Sequence, residues 1–392
     1  MSKADTQETA NRPVISDEDR PLAGVVVLET SSFLTGPYAS MMLADLGAEV
    51  IKVEPPEGDG FRRFGYNRKG FGATWTNANR SKKSIVIDLK QQEGLSRLKQ
   101  LVKKSDILLE NWRPGVAEKL GLGQDVVTAL NPKIIRISIT GFGDKGPLVK
   151  APALDSLIQG RTGLIAAEGR HGNPSVTPFN MVDKVVAAMA AQAVLAALYK
   201  RDRTGKGAYI QLPMLDALAY FNFPDMFQHR TFENDTTGWK PPQEQVLQTS
   251  DGHIVISPVN GKQMSVTLNA IERAEWKEEL KKMPDPVAMA ADFFRRVGEV
   301  VKEKPSAFWL KRFAEYDVPA SPVYGFDEFL ADEQVRYNEI FQEIPSPVGP
   351  IRAVRYPALF DDARLPVHSG PPSIGEHDKE VGDGSGIGGK KN

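Results

Sequence analysis

No cysteine occurs anywhere in the 392 residues. Disulfides, thiolate catalysis and cysteine-based metal sites are therefore excluded together, and the chain fits a reducing compartment. Charge of one sign is also lacking: 49 Lys and Arg against 50 Asp and Glu leave a net −1. Nothing in bulk charge draws the protein to nucleic acid or another polyanion. The five histidines, His171, His229, His253, His368 and His377, are scattered without ligand spacing, so no metal centre is expected. No apolar run reaches the roughly 18 residues of a membrane span. The nearest, residues 184–200, is too short and too rich in alanine, and the polar first twenty residues hold no signal peptide. A cytoplasmic protein that meets neither membrane nor nucleic acid is the expectation.

Familiar catalytic loops are missing too. There is no G-x-S-x-G elbow and no G-x-x-x-x-G-K-[ST] loop, which argues against a hydrolase serine and a P-loop nucleotide site. The segment 141–146 (GFGDKG) spells G-x-G-x-x-G after a buried strand. A dinucleotide site needs the third glycine to open a helix. Pro147 follows instead, so neither nicotinamide nor flavin is expected.

What is present is a globular composition, 41% hydrophobic and 25% charged, in a chain long enough for two domains. Strand 24–28, helix 37–46 and strand 49–54 form a βαβ unit, the sign of a parallel sheet. The alternation continues through strands 84–89, 106–109, 134–139 and 208–212. Helices are expected at 92–104, 116–120, 125–130, 154–165 and 184–200. The last of these, small and apolar all round, reads as buried. A polar, Pro- and Gly-rich stretch near 225–242 marks a boundary. Beyond it come a strand at 252–257 and charged helices at 272–283, 287–302 and 306–316. The glycine-rich end of the chain reads as disordered.

Asp183 stands at the mouth of the greasy helix. It is either an N-cap or a reactive group, since a carboxylate is one of the few groups besides cysteine able to carry an acyl intermediate. Glu110-Asn111-Trp112-Arg113-Pro114-Gly115 follows a strand's carboxyl end, where open α/β sheets bind ligands; it also reads as a plain turn with a tryptophan plug. Lys90 is a surface lysine or a phosphate ligand. The aromatics of 220–227 are core or the lining of an acyl pocket.

An ordered series of blocks resembles the class III CoA-transferase family, that of formyl-CoA and carnitine CoA-transferases and of α-methylacyl-CoA racemase. The series runs Gly36-Pro37, then 43–56 (LADLGAEVIKVEPP), Gly58-Asp59, Lys83-Ser84-Ile85 with Asp88-Leu89-Lys90, then 110–116 (ENWRPGV), Gly141-Phe142-Gly143 with Gly146-Pro147, and Thr204-Gly205-Lys206-Gly207. It covers about residues 21 to 380.

The resemblance implies that Asp183, in register before the T-G-K-G turn, is the nucleophile of an acyl-CoA:carboxylate CoA-transferase. It implies aspartyl–acyl anhydride and aspartyl-CoA thioester intermediates, with coenzyme A and its esters as substrates and no metal. Ile87, Asp88, Leu89, Lys90, Asn111, Trp112, Lys119, Ile139, Thr140, Gly141 and Phe142 match the family's CoA contacts. The implied fold is α/β, with a Rossmann-like parallel-sheet domain, a smaller α+β domain, and two chains interlocked as a homodimer. Along the chain this gives a disordered tail at 1–20, a large CoA-binding domain at 21–225 and a linker with the small domain at 226–344. A return segment at 345–380 and a disordered tail at 381–392 complete it. Racemases of the family carry a histidine directly before the aspartate that is here Asp155. Leu154 stands in its place and cannot move a proton, so transfer is favoured over racemisation, and the retained Asp183 argues against a CoA-binding pseudoenzyme. Two departures stand out: 238–243 (GWKPPQ) is sparse in glycine and has proline in place of the covering loop's histidine, and Pro55 stands where some members carry a CoA-contacting arginine.

Overall fold

The computed structural model describes residues 12–168, 173–234, 245–382, 384 and 386. The tails expected to be disordered lie partly, and the 238–243 loop wholly, outside the described residues. The chain divides into two compact units, Met1–Thr237 with Tyr337–Asn392, and Gly238–Arg336.

The first unit is built on a parallel sheet. β1 (Val26–Glu29), α1 (Thr35–Asp45) and β2 (Glu49–Glu54) form the expected βαβ unit. A short hairpin, β3 (Asn67–Arg68) and β4 (Phe71–Gly72), leads to α2 (Ala73–Asn79). Then come β5 (Lys82–Val86), α3 (Gln92–Lys104), β6 (Ile107–Glu110), α4 (Val116–Lys119), α5 (Gln124–Leu130) and β7 (Ile135–Thr140). α6 (Asp155–Arg161), α7 (Leu164–Glu168), α8 (Met181–Thr204), β8 (Ala208–Pro213) and α9 (Met214–Met226) follow. The six strands lie in the order β5-β2-β1-β6-β7-β8, and every neighbouring pair is parallel.

Alternate residues of one strand serve opposite faces. Val27, Ile107, Leu109, Ile135 and Ile137 pack with α1 and α8. Val26, Leu28, Ile51, Ile85 and Leu108 pack with α3 and α5. Apolar runs buried on both sides are what a parallel sheet requires.

Four local expectations need correction. The strand expected at 84–89 runs from Lys82 to Val86, and Ile87 to Lys90 lie past its end. The helix expected at 154–165 breaks into two where Gly163 takes a φ of 81°, a conformation open to glycine. α8 has 24 residues and is long and apolar enough to cross a membrane by length and composition. Its Val182, Val186, Ala187, Ala190 and Val194 nevertheless pack in the core, while Ala188, Gln192, Ala196 and Tyr199 are exposed. The aromatics at 220–227 split as well, for Tyr220, Phe221 and Phe223 project from α9 at 78%, 53% and 51% exposure.

The second unit holds β9 (Val246–Gln248), β10 (His253–Ile256) and β11 (Ala320–Pro322) in an antiparallel sheet. Between them run α10 (Gly261–Ala270), α11 (Trp276–Lys281), α12 (Pro286–Val301) and α13 (Ser306–Glu315), then α14 (Phe326–Ala331) and α15 (Glu333–Tyr337). α10 escaped the sequence reading. Its start is written in Asn260, whose side chain accepts the Gln263 N–H at 2.9 Å, an N-cap. The chain then returns to the first unit through hairpins β12 (Phe341–Ile344) with β13 (Ile351–Val354) and β14 (Leu359–Phe360) with β15 (Ala363–Arg364), ending in α16 (Asp378–Val381).

Candidate active site

The strand order reverses between β1 and β6: the chain proceeds from β1 to β2 on one side and resumes at β6 on the other. In an open α/β sheet the crevice outside the carboxyl ends of such strands receives the ligand. Here the two loops are tied. Asn111, just past β6, accepts the Ser32 N–H at 3.0 Å and donates to the Ser32 carbonyl at 2.8 Å.

The loop after β1 delivers Thr35 to the head of α1, where it is buried. Gly36 is required beside it, because a Cβ there would sit 2.3 Å from Ser31 Oγ. The backbone on either side of this point is strained. Phe33 has a φ of 65°, and Phe179 and Asn180 have φ of 77° and 48° just before α8. Such values cost energy in bulky residues and cluster where function fixes the chain.

Asp183 is the third residue of α8, whose cap is Asn180. Of the two roles open to it from sequence, it does not fill that of N-cap. Its Oδ1 accepts a short hydrogen bond from the Thr35 hydroxyl. Its backbone N–H donates to Asp155 Oδ2 at 3.1 Å, and Asp155 is fixed by Gln159, which donates to Oδ1 at 2.6 Å. Oδ2 of Asp183 receives no hydrogen bond among the described residues. Burial raises the Asp183 carboxyl and the Asp155 charge adds to this, so that against the pull of the Thr35 bond it stands at about 6 rather than 3.8. A carboxylate in this condition, close to neutral pH and with one oxygen free, is poised as a nucleophile or base.

Beneath the same loop lies a second set of charges. Glu29, fully buried at the end of β1, accepts from Lys52 at 3.0 Å, Lys82 at 2.8 Å, Ser31 at 2.9 Å and Ser40 at 2.6 Å. Burial alone would raise this carboxyl, but the two ammonium groups bring it down to about 2. Burial and the Lys52 charge outweigh Glu29 at Lys82 and lower that lysine to about 8. Lys52 also donates to the Ser31 carbonyl at 3.0 Å and lies 3.1 Å from Asp59 Oδ2. Asp59 Oδ1 accepts the Phe33 N–H at 3.3 Å. The network thus grips the loop that carries Thr35 at two points.

Most residues matched to CoA contacts lie off the same edge of the sheet. Ile87, Asp88, Leu89 and Lys90 follow β5, Asn111 and Trp112 follow β6, and Ile139 and Thr140 close β7 ahead of Gly141 and Phe142. Lys119 stands apart at the end of α4, exposed. The side chains of Ile87 and Ile139 belong to the cores on opposite faces, which leaves their backbone to meet a ligand. Thr140 and Asp88 are engaged in their own turns, accepting the Gly143 and Lys90 N–H at 3.0 and 2.9 Å. Loop 141–154 contains no helix. Thr35 and the lysines beneath it escaped the sequence reading, and Asp155 entered it only as the neighbour of Leu154. The one available signal was Lys52, a charge inside the otherwise apolar run Val50 to Val53 and buried with it.

A family model described as CoA-transferase family III matches residues 22–378. The chain is 32% identical over 381 residues to succinyl-CoA–D-citramalate CoA-transferase of Chloroflexus aurantiacus, covering 92% of this chain and 93% of that relative. It is 29% identical over 373 residues to human α-methylacyl-CoA racemase, covering 92% of each. A crystal structure of Rv3272 from Mycobacterium tuberculosis matches with a TM-score of 0.81 and 28% identity, over 92% of this chain and 98% of that one.

Proposed function

The chain belongs to CoA-transferase family III, and on that premise we propose that it passes coenzyme A from an acyl-CoA donor to a carboxylic acid acceptor, with Asp183 as the covalent carrier. The observation that carries this reading is the state of Asp183: sequestered beside the sheet's switch point, answered by one hydroxyl, and facing an acid rather than a cation. A carboxylate of raised pKa is ionised at neutral pH and yet more nucleophilic than an ordinary one.

Oδ2 attacks the donor thioester carbonyl, and CoA thiolate leaves behind a mixed anhydride. The thiolate attacks Cγ of Asp183 and expels the donor acid, giving an aspartyl-CoA thioester. The acceptor carboxylate then attacks Cγ and expels the thiolate, which takes the new acyl group and restores Asp183. Each intermediate keeps the activation of the thioester, so no outside energy source enters. The CoA moiety lies along the sheet edge, against residues 87–90, Asn111, Trp112 and 139–142.

Likeness to a racemase raises the alternative of proton transfer at an α-carbon. That reaction needs a second acid–base group. Leu154, the cap of α6, offers none. Among the described residues the hydrogen-bond partners of Asp183 are the Thr35 hydroxyl and the Asp155 carboxylate. Asp155, held by its bonds from Gln159 and the Asp183 N–H, is the one titratable group of the two. The test is incubation with succinyl-CoA or acetyl-CoA and a panel of carboxylic acids in deuterated water, followed by mass spectrometry. New CoA esters without α-deuterium are expected. Rapid α-deuteration with no new ester would replace this reading with racemisation. The reading as an interlocked homodimer rests on the family likeness; the exposed Tyr220, Phe221 and Phe223 offer apolar surface to a partner but do not bear on interlocking. Mass photometry is expected to give twice the chain mass on dilution.

A further inference from the structure

We propose that the Thr35 hydroxyl is a catalytic group, the donor that holds Oδ1 of Asp183 through both attacks on the aspartyl carbonyl. This rests on Asp183 being the carrier, and it assigns a task the nucleophile cannot perform for itself. Because Oδ1 is engaged by Thr35, Oδ2 is the oxygen that attacks the donor thioester. In the anhydride Oδ2 becomes the bridge and Oδ1 the carbonyl oxygen. When CoA thiolate adds to Cγ, the carbonyl electron pair moves onto Oδ1, and Thr35 already donates to that atom. Collapse of this tetrahedral state breaks the Cγ–Oδ2 bond, so the donor acid departs with Oδ2. When the acceptor carboxylate later adds to Cγ, the charge falls on Oδ1 again. Collapse then breaks the Cγ–S bond, and the acceptor supplies the oxygen that replaces Oδ2.

A donor contributes in this way only if it is in place before the charge appears. Thr35 meets that condition. It is buried at the first position of α1, and Ser31, Ser32 and Phe33 in the loop before it are held from several sides. Asn111 bonds Ser32 in both directions at 3.0 and 2.8 Å, Asp59 takes the Phe33 N–H at 3.3 Å, and Lys52 donates to the Ser31 carbonyl at 3.0 Å. Much of the buried charge near the sheet edge thus serves to fix one hydroxyl.

The experiment compares Thr35→Val, Thr35→Ala and Thr35→Ser with the parent enzyme, using succinyl-CoA alone for the half-reaction and succinyl-CoA with an accepted acid for turnover. Intact-mass spectrometry times the CoA adduct on the protein. Val and Ala are expected to slow adduct formation and kcat by about 10²- to 10³-fold, the usual loss for one oxyanion donor, with KM for the ester within about threefold of the parent. Ser, which keeps the hydroxyl, should recover most of the rate. Val and Ala variants working within about threefold of the parent would overturn the assignment, as would a Ser variant as slow as Val. If the parent itself forms no CoA adduct at Asp183, the reading of the carrier fails instead.

Discussion

Glu29 and Asp183 flank the same short loop, one at its start under β1 and the other against the threonine at its end. Glu29 is fully withdrawn from water and Asp183 partly so, a change that by itself raises any carboxyl. Glu29 is met by two ammonium groups and two hydroxyls and sits at about 2. Asp183 is met by one hydroxyl and a second acid and sits at about 6. On the proposed role of Asp183, the comparison teaches that reactivity is set by what is withheld. A carboxylate surrounded by cations has nothing left to offer an electrophile, whereas one left nearly unanswered keeps a lone pair of useful basicity.

Exchanging or removing these surroundings should break the contrast in graded steps. The largest effect is expected from Asp183→Ala, which should cut CoA transfer by at least about 10⁴-fold, the scale of losing a covalent nucleophile, and erase the CoA adduct in intact-mass spectra. An adduct persisting on that variant would mean another carrier. Glu29→Gln comes next. Among the described residues it leaves Lys82 without its carboxylate partner and Lys52 paired with Asp59 alone. It should cost about 3–5 kcal/mol in urea unfolding, as loss of one partner of a buried pair does. A loss under about 1 kcal/mol would show that the network is hydrated rather than structural.

Asp183→Asn should do the reverse and stabilise the fold. The native carboxyl binds its proton more tightly than the unfolded one, so its contribution is complete below pH 3.8 and is lost as pH rises through about 6. Asparagine does not titrate. It should therefore gain on the parent by about 1–3 kcal/mol at pH 8 and by almost nothing at pH 4. Equal stability of the two proteins at pH 8 would mean that Asp183 pays no desolvation cost. The smallest shift is expected from Asp155→Asn, which retains an acceptor for the Asp183 N–H and removes the like charge. The acid limb of kcat/KM should move to lower pH by less than about one unit, since burial is the larger cause. An upward shift would contradict the repulsion.

The parallel sheet was legible because each strand between 24 and 139 is an apolar run closed by a turn, a local pattern. Asp183 was legible only through its distance from the T-G-K-G turn and the likeness of the whole series, and as a mere helix start it resembled an N-cap. Thr35 carried no such mark. It meets Asp183 across 148 positions, and no window of sequence contains both. The ends of β5 and α6 were misplaced for a related reason. Ile87 and Leu89 keep the strand's alternation after Val86 has ended it, and the break at Gly163 rests on one φ angle within an otherwise helical pattern.

The left-handed pair Phe179 and Asn180 bears on any attempt to make this protein more robust. An engineer scanning for easy gains would choose these positions, since glycine tolerates such angles at little cost and the strain removed is of order 1–3 kcal/mol per residue. Asp183 begins only three residues later, and the direction in which α8 sets out is fixed by that same pair. Heat resistance gained there would be drawn from the aim of the carboxylate, so thermostability screens of this chain should score turnover in the same pass.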